Sequence, residues 1–344
     1  MKKNSTTFLF SCIFLFLTII LYRNFLYSYR MQLENFLPYY NYQNQILYYL
    51  TGDLMYDIKS PMNLRFLGLI IQYLIFKLIP CIELTNLNSD LTQTYTCATY
   101  SNALMNYLSM TSFLSLIFIY SHKKLKLNLT TSVLSLLLSY IFFIYLEAFT
   151  LDRISVLYLL IILYFLDNKK ISLLLILLSC LVNEKIIIVV GIYFFIRAFI
   201  YNEKKYLIYF FSSLLSFILV LAIFIFYSFI LNYGYFGQND PSGIYNTIFS
   251  EGIMRLKSIF LNPKGISNAL LPIIFSISPY IYLLFSNKKK KSIEILIPLS
   301  LIFFGMGGGT TNIGRYVMYS MPLWIPIMSY IIFVNIDKLI KSKN

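Results

Sequence analysis

The chain has 344 residues, of which 58% are hydrophobic and 12% charged, and its mean hydropathy is +0.71. Roughly a quarter of the residues of a soluble domain are charged, so this composition excludes a disordered chain, a collagen-like repeat and a disulfide-stapled miniprotein, and argues against an ordinary soluble enzyme. The net charge of +14 would suggest nucleic acid in a soluble protein, but here the lysine runs are short and lie between apolar segments, so no nucleic-acid partner is expected.

Lipid satisfies no backbone hydrogen bond, so only helices or a closed barrel cross it. The apolar runs are continuous and rich in Leu, Ile and Phe, without the alternation of a barrel strand, and they predict an all-α integral membrane protein. The first run, 7–22, follows Lys2 and Lys3; no small-residue cleavage site follows it, so 1–22 is read as an uncleaved first transmembrane helix. The later runs are 103–121, 130–146, 154–166, 171–183, 186–200, 206–231, 267–285, 293–305 and 316–335, which makes about ten spanning helices. Several are shorter than the usual ~20 residues and must tilt little or sit in thinned bilayer.

A further run at 66–81 is decided by the positive-inside rule. The basic loops are 122–126, 168–170, 203–205, 288–291 and the tail from Lys338. All of them fall on the cytoplasmic side, together with both termini, provided that 66–81 does not cross. The same choice puts ten of the 14 acidic residues outside. Residues 66–81 are therefore expected to form a juxtamembrane helix on the external side, within one large external loop, 23–102. The helical bundle 103–335 then carries a second external loop, 232–266, and 336–344 is a cytoplasmic tail, all within a single polytopic domain, 1–344. The expected location is a plasma (inner) membrane. Long loops in a compact membrane protein usually carry a site, and no internal repeat of the transporter kind is visible.

Cys12, Cys81, Cys97 and Cys180 show no CxxC spacing, and His122 is the sole histidine, so a zinc site is not expected; free thiols are, with pairing of Cys81 and Cys97 in the external loop as the alternative. In the first loop the carboxylates of Glu34, Asp53 and Asp57 are candidates for a general base or for a divalent metal, against the competing reading of solvated loop acids. The tyrosines at 39–49 fit an interfacial belt as well as a sugar platform. Three external turns are more informative. Glu147, Asp152 and Arg153 sit where one run ends and the next begins, and Asn183, Glu184 and Lys185 interrupt an apolar stretch; charge at that depth is costly unless paired or used. Glu184 and Lys185 neutralising each other is the alternative. The glycine-rich stretch 305–315 can turn backbone N–H groups toward an anion, with Arg315 as a forked donor, although no Walker signature follows. Acids, Arg153, Lys185, Arg255 and Arg315 beside a hydrophobic wall suit a substrate with an anionic head and a greasy tail.

This layout resembles the GT-C superfamily of membrane glycosyltransferases, in which a first helix precedes a large external loop with juxtamembrane helices and then a helical bundle. The local resemblance is to the first loop of protein O-mannosyltransferases, through Tyr49, Gly52, Asp57, Pro61 and Arg65; Leu151 with Asp152, and Arg315 with Tyr316 and Pro322, resemble later motifs. The family's catalytic acid lies about ten residues before that tyrosine; the register here falls near Pro38 and Tyr39, and the nearest acid is Glu34.

The resemblance implies inverting transfer of a sugar from a polyprenyl-phosphate donor to a hydroxyl of a glycan, lipid or protein acceptor. Glu34 would be the base with Asp57 second, and Asp152 would orient substrate or metal. Arg65, Arg153, Glu184, Lys185 and Arg315 would form the donor and phosphate site, with Lys185 and Arg315 on the phosphate itself. A divalent metal is the one cofactor left open. An O-antigen-type polymerase or ligase, a lipid-linked sugar flippase or transporter, and a structural membrane protein are the competing readings.

Overall fold

The computed structural model describes residues 90–143, 146, 152–231, 263–286, 289–307 and 313–341, together with Leu67, Ile70, Ile71, Leu74, Ile75 and Leu78. Its elements are α1 (Asp90–Ile119), α2 (Leu129–Phe143), α3 (Asp152–Tyr164), α4 (Lys169–Leu178), α5 (Glu184–Phe195), α6 (Leu207–Leu231), α7 (Pro263–Phe285), α8 (Lys289–Ser292), α9 (Leu296–Gly307), α10 (Ile313–Met318) and α11 (Met321–Lys341), with short π- and 3-10-helical turns between some of them. Among the described residues there is no strand, so the all-α expectation holds for them. The expected first transmembrane helix, most of the first external loop and nearly all of 232–266 lie outside the described residues.

Two boundaries differ from the apolar runs. Helix α1 begins at Asp90, well before 103, because the intervening Thr, Ser and Tyr residues are polar enough to hide a helix from hydropathy. The expected run 316–335 is broken by a turn at Tyr319 and Ser320. Pro322 explains the break, since it has no N–H to donate to a preceding turn but is at home in the first turn of a new helix.

The described residues divide between two units: 69–111 fall in one, and Leu67 with everything from 112 onward in the other. In the second unit α2 packs along α11, α7 along α10 and α11, and α6 against α4 and α5. Trp324 is fully buried there, with its ring edge-on to Phe142 at 5.0 Å; Phe142 also meets Phe275 at 5.0 Å.

Asparagines start three of the helices. Asn128, Asn168 and Asn183 each accept a backbone N–H of the first turn that follows, from Thr131, Ile171 and Lys185. This answers the unsatisfied donors of a helix N-terminus. The ends of α1 and α5 share another device. Each runs into a π-helical turn, Tyr120–Lys124 and Ile196–Ile200, and the next turn holds a left-handed residue, Lys126 at φ 55° and Asn202 at φ 57°. A left-handed residue cannot continue a right-handed helix, so both chains stop there.

The loops that follow gather at one end of the second unit. Lys124 pairs with Asp167 at 2.6 Å, the Tyr209 hydroxyl donates to the Leu166 carbonyl, and the Tyr201 hydroxyl donates to Glu294 at 3.2 Å. Arg197 pairs with Glu203 at 3.3 Å, and the Lys290 ammonium lies 5.3 Å from the centre of the Tyr201 ring. Four of the basic stretches read from the sequence thus share one end.

The Lys124 hydrogen bond holds the Asp167 carboxyl below the usual carboxylate range. Its contribution is therefore complete above the ordinary aspartate value near 4 and is lost as pH falls through the lowered one. Because Asp167 is exposed, Asp167→Asn is expected to change stability by less than about 1 kcal/mol, measured by thermal unfolding in detergent near neutral pH. A larger loss would mean that the pair is shielded from water.

Candidate functional site

The opposite end of the same unit holds the starts of α3 and α5 and the turn between α10 and α11. Helix α3 opens with Asp152 and Arg153, both buried. A carboxylate at that position lies against the unsatisfied N–H groups and the positive end of the helix dipole.

Asn183 precedes α5 in an extended conformation, φ −169° and ψ 130°. Its side-chain oxygen accepts the Lys185 N–H at 3.1 Å, which leaves both amide hydrogens for other partners. Its Nδ2 donates to Ser155 Oγ and to the Tyr319 hydroxyl, each at 3.1 Å. Tyr319 in turn donates to Asp152 Oδ1. Four buried groups from α3, the start of α5 and the 319–320 turn therefore form one connected network, in which each bond polarises the next.

Lys185 is buried beside this network. Its ammonium lies 4.2 Å from the centre of the Tyr316 ring and 5.2 Å from that of Tyr319. Rings at this range attract a cation through their negative faces, typically by about 0.5–2 kcal/mol. The Arg153 guanidinium lies 5.6 Å from the Phe143 ring centre. Three buried charged side chains, Asp152, Arg153 and Lys185, at one end of the unit are expensive unless they are balanced or used, and buried ion sets are weak stabilisers compared with apolar packing. Two helix N-termini and two cations at one end make a place suited to an anion, with Asp152 held on a hydrogen bond from Tyr319.

No family model, no curated protein and no solved structure matches this chain.

Of the residues singled out from the sequence, Asp152, Arg153 and Lys185 stand at this end. Glu184 opens α5 and Arg315 lies in α10, three residues before the helix ends; the side chains of both are outside what the structure describes. Glu34, Asp57 and Arg65 lie outside the described residues, as does the middle of the glycine-rich stretch, 308–312. Among the described residues no three His, Cys, Asp or Glu side chains gather as metal ligands; Asp53, the third loop carboxylate weighed for a metal, also lies outside them. Cys180 is buried as a free thiol.

Sequence reasoning did not single out Ser155 or Tyr319. Tyr319 is one of 31 tyrosines, and its spacing carries no signal beyond lying one turn after Tyr316. Asn183 was visible only as part of a polar interruption; its double role, as helix cap and as donor to two other elements, comes from tertiary contact.

Proposed function

We propose that this chain is an integral membrane glycosyltransferase of about ten spanning helices, which moves a sugar from a polyprenyl-phosphate donor to an acceptor hydroxyl on the external face. The observation that carries the reading is the convergence of Asp152, Asn183, Lys185, Tyr316 and Tyr319 at the end opposite the basic loops. Helix α3 runs between these two ends over 13 residues, about 20 Å at 1.5 Å per residue.

Membrane embedding is supported by what the bundle exposes. Phe211 on α6 is 59% exposed, Leu174 on α4 59% and Phe303 on α9 71%. Along the expected juxtamembrane helix, Ile70, Leu74 and Leu78 form an exposed stripe at helical spacing. Such apolar surface is unfavourable in water and at home in lipid. One described helical stretch, Ala103–Lys124, has the length and hydropathy of a span, and the 25 residues of α6 contain no charge. The shorter apolar helices, Leu129–Phe143, Leu270–Phe285 and Met321–Ile336, would sit in thinned bilayer.

In this reading the donor phosphate meets Lys185 and Arg315, and basic groups there stabilise the lipid phosphate as it departs. Asp152 orients the donor. A carboxylate of the first loop, Glu34 before Asp57, takes the proton of the acceptor hydroxyl as that oxygen attacks the anomeric carbon with inversion. Arg65, Arg153 and Glu184 complete the donor site.

The test is transfer of labelled sugar from a panel of polyprenyl-phosphate sugars by the protein reconstituted in liposomes. Wild-type protein is expected to transfer at least one of them. Lys185→Met is expected to reduce kcat/KM about 10- to 100-fold, the worth of a charge-assisted contact. Folded wild-type protein that hydrolyses or transfers none of the panel, or Lys185→Met at full activity, would remove this reading of the site.

A further inference from the structure

A separate feature lies on the flank of the bundle. Helices α5 and α6 are joined by the turn 201–206 and pack against each other, yet their facing sides leave an open groove of about 250 Å³. Its walls include Ile188, Gly191 and Phe195 from α5 and Phe210, Ser213 and Phe217 from α6. The spacing is helical on both sides, so the groove runs along the helices, for about 12 Å between 187 and 195.

Gly191 gives the groove its depth. A Cβ there would stand 3.4 Å from Ser213 Oγ, an ordinary contact, so alanine fits and a longer side chain enters the groove. The Ser213 hydroxyl donates to the Phe210 carbonyl at 2.7 Å, so it turns to the backbone and the lining stays apolar. The volume is below the roughly 300–1,000 Å³ of a site that encloses a drug-sized ligand. It suits one hydrocarbon chain lying lengthwise.

One end of the groove identifies what the chain is attached to. Phe195, Phe199 and Phe210 form a ring cluster there, with centroids 5.1 to 5.7 Å apart. The connecting turn that follows Phe199 carries Lys204 and Lys205, both exposed, with the Lys205 ammonium 5.0 Å from the centre of the Tyr206 ring. An apolar slot, an aromatic rim and two ammonium groups follow the order of acyl chain, interface and phosphate in an anionic phospholipid.

We propose that this groove holds one acyl chain of an anionic bilayer phospholipid, with its phosphate against Lys204 and Lys205. The polyprenyl donor is not the occupant, because a head group at Lys204 and Lys205 lies at the basic end, a helix length from Asp152 and Lys185. The inference rests on the membrane embedding proposed above and is independent of sugar transfer.

The experiment is native mass spectrometry of the full chain purified in mild detergent and titrated with phosphatidylglycerol or with phosphatidylcholine of the same chains. Wild type is expected to retain one phosphatidylglycerol about tenfold or more in preference. The Lys204→Gln, Lys205→Gln double variant is expected to lose the preference. Gly191→Ile is expected to lose the bound lipid, and Gly191→Ala to keep it. Should Gly191→Ile not fold, Leu214→Trp fills the groove from its exposed edge and is expected to have the same effect. Equal retention of the two lipids by a membrane-extracted wild type, or no loss in the groove-filling variant, overturns the groove proposal alone. A chain that partitions into the aqueous fraction overturns membrane embedding and the groove together.

Discussion

Asp152→Asn is expected to lower sugar transfer by about 100-fold or more while leaving the protein folded. Asparagine has the shape of aspartate and keeps an oxygen that can accept the Tyr319 hydroxyl, so the link between α3 and the 319–320 turn survives. What disappears is the negative charge at the start of α3, beside Arg153 and near Lys185. A donor oriented by that charge then sits in the wrong place, and a misplacement of about 1 Å is enough for 100-fold.

Asp152→Ala separates the two roles. It removes the acceptor as well, leaves the buried Tyr319 hydroxyl short of a partner, and is expected to cost a further 1–3 kcal/mol or so of stability. Transfer kinetics and thermal unfolding on the same preparations decide between the roles. If Asp152→Asn keeps full activity, Asp152 serves only to anchor Tyr319.

The largest stability effect is expected from Trp324→Ala, about 3–5 kcal/mol in thermal or denaturant unfolding. Trp324 is the largest fully buried side chain, and its ring joins α11 to α2 through the edge-on contact with Phe142. With the bundle in lipid, as proposed, the loss is of close packing rather than of hydrophobic transfer, because the lipid is as apolar as the core. The site feels it too. Trp324 lies five residues after Tyr319, in the first turn of α11, so loosening that helix start loosens the turn that supplies the Asp152 partner. Phe211→Ala is the matched control. Phe211 points outward and is 59% exposed, so its loss is expected to change stability by less than about 1 kcal/mol.

Much of the helical layout was legible in the runs of Leu, Ile and Phe, because a continuous apolar stretch has few other ways to satisfy its backbone. The starts of α2, α4 and α5 fall within two residues of the runs that begin at 130, 171 and 186; that Asn128, Asn168 and Asn183 cap them is seen in the structure. The early start of α1 was not: the Thr, Ser and Tyr residues after Asp90 have no apolar pattern, and a helix there is a matter of context. The turn at Tyr319 lay inside a run that reads as one helix, and Pro322 was its single warning.

For the site, charge was the readable signal. Asp152, Arg153 and Lys185 stood out because ionised groups at the ends of apolar segments are rare. Ser155 and Tyr319 were indistinguishable from neutral residues that face a core, and Tyr316 was visible only beside Arg315 and Pro322; what gives them a place in the site is their position on three different elements.

By itself the sequence determined the helical character of the described residues, most of the segments that form their helices, and the grouping of lysines into loops expected on one side, since hydropathy and charge act locally and can be read along the chain. Only the tertiary structure decided which contacts join four of those loops at one end and that Asp152, Asn183, Lys185 and Tyr319 meet at the other. Residues 167 positions apart become hydrogen-bond partners only when α3 and the start of α11 are packed into the same bundle, and that depends on how whole helix faces fit together rather than on any stretch of residues.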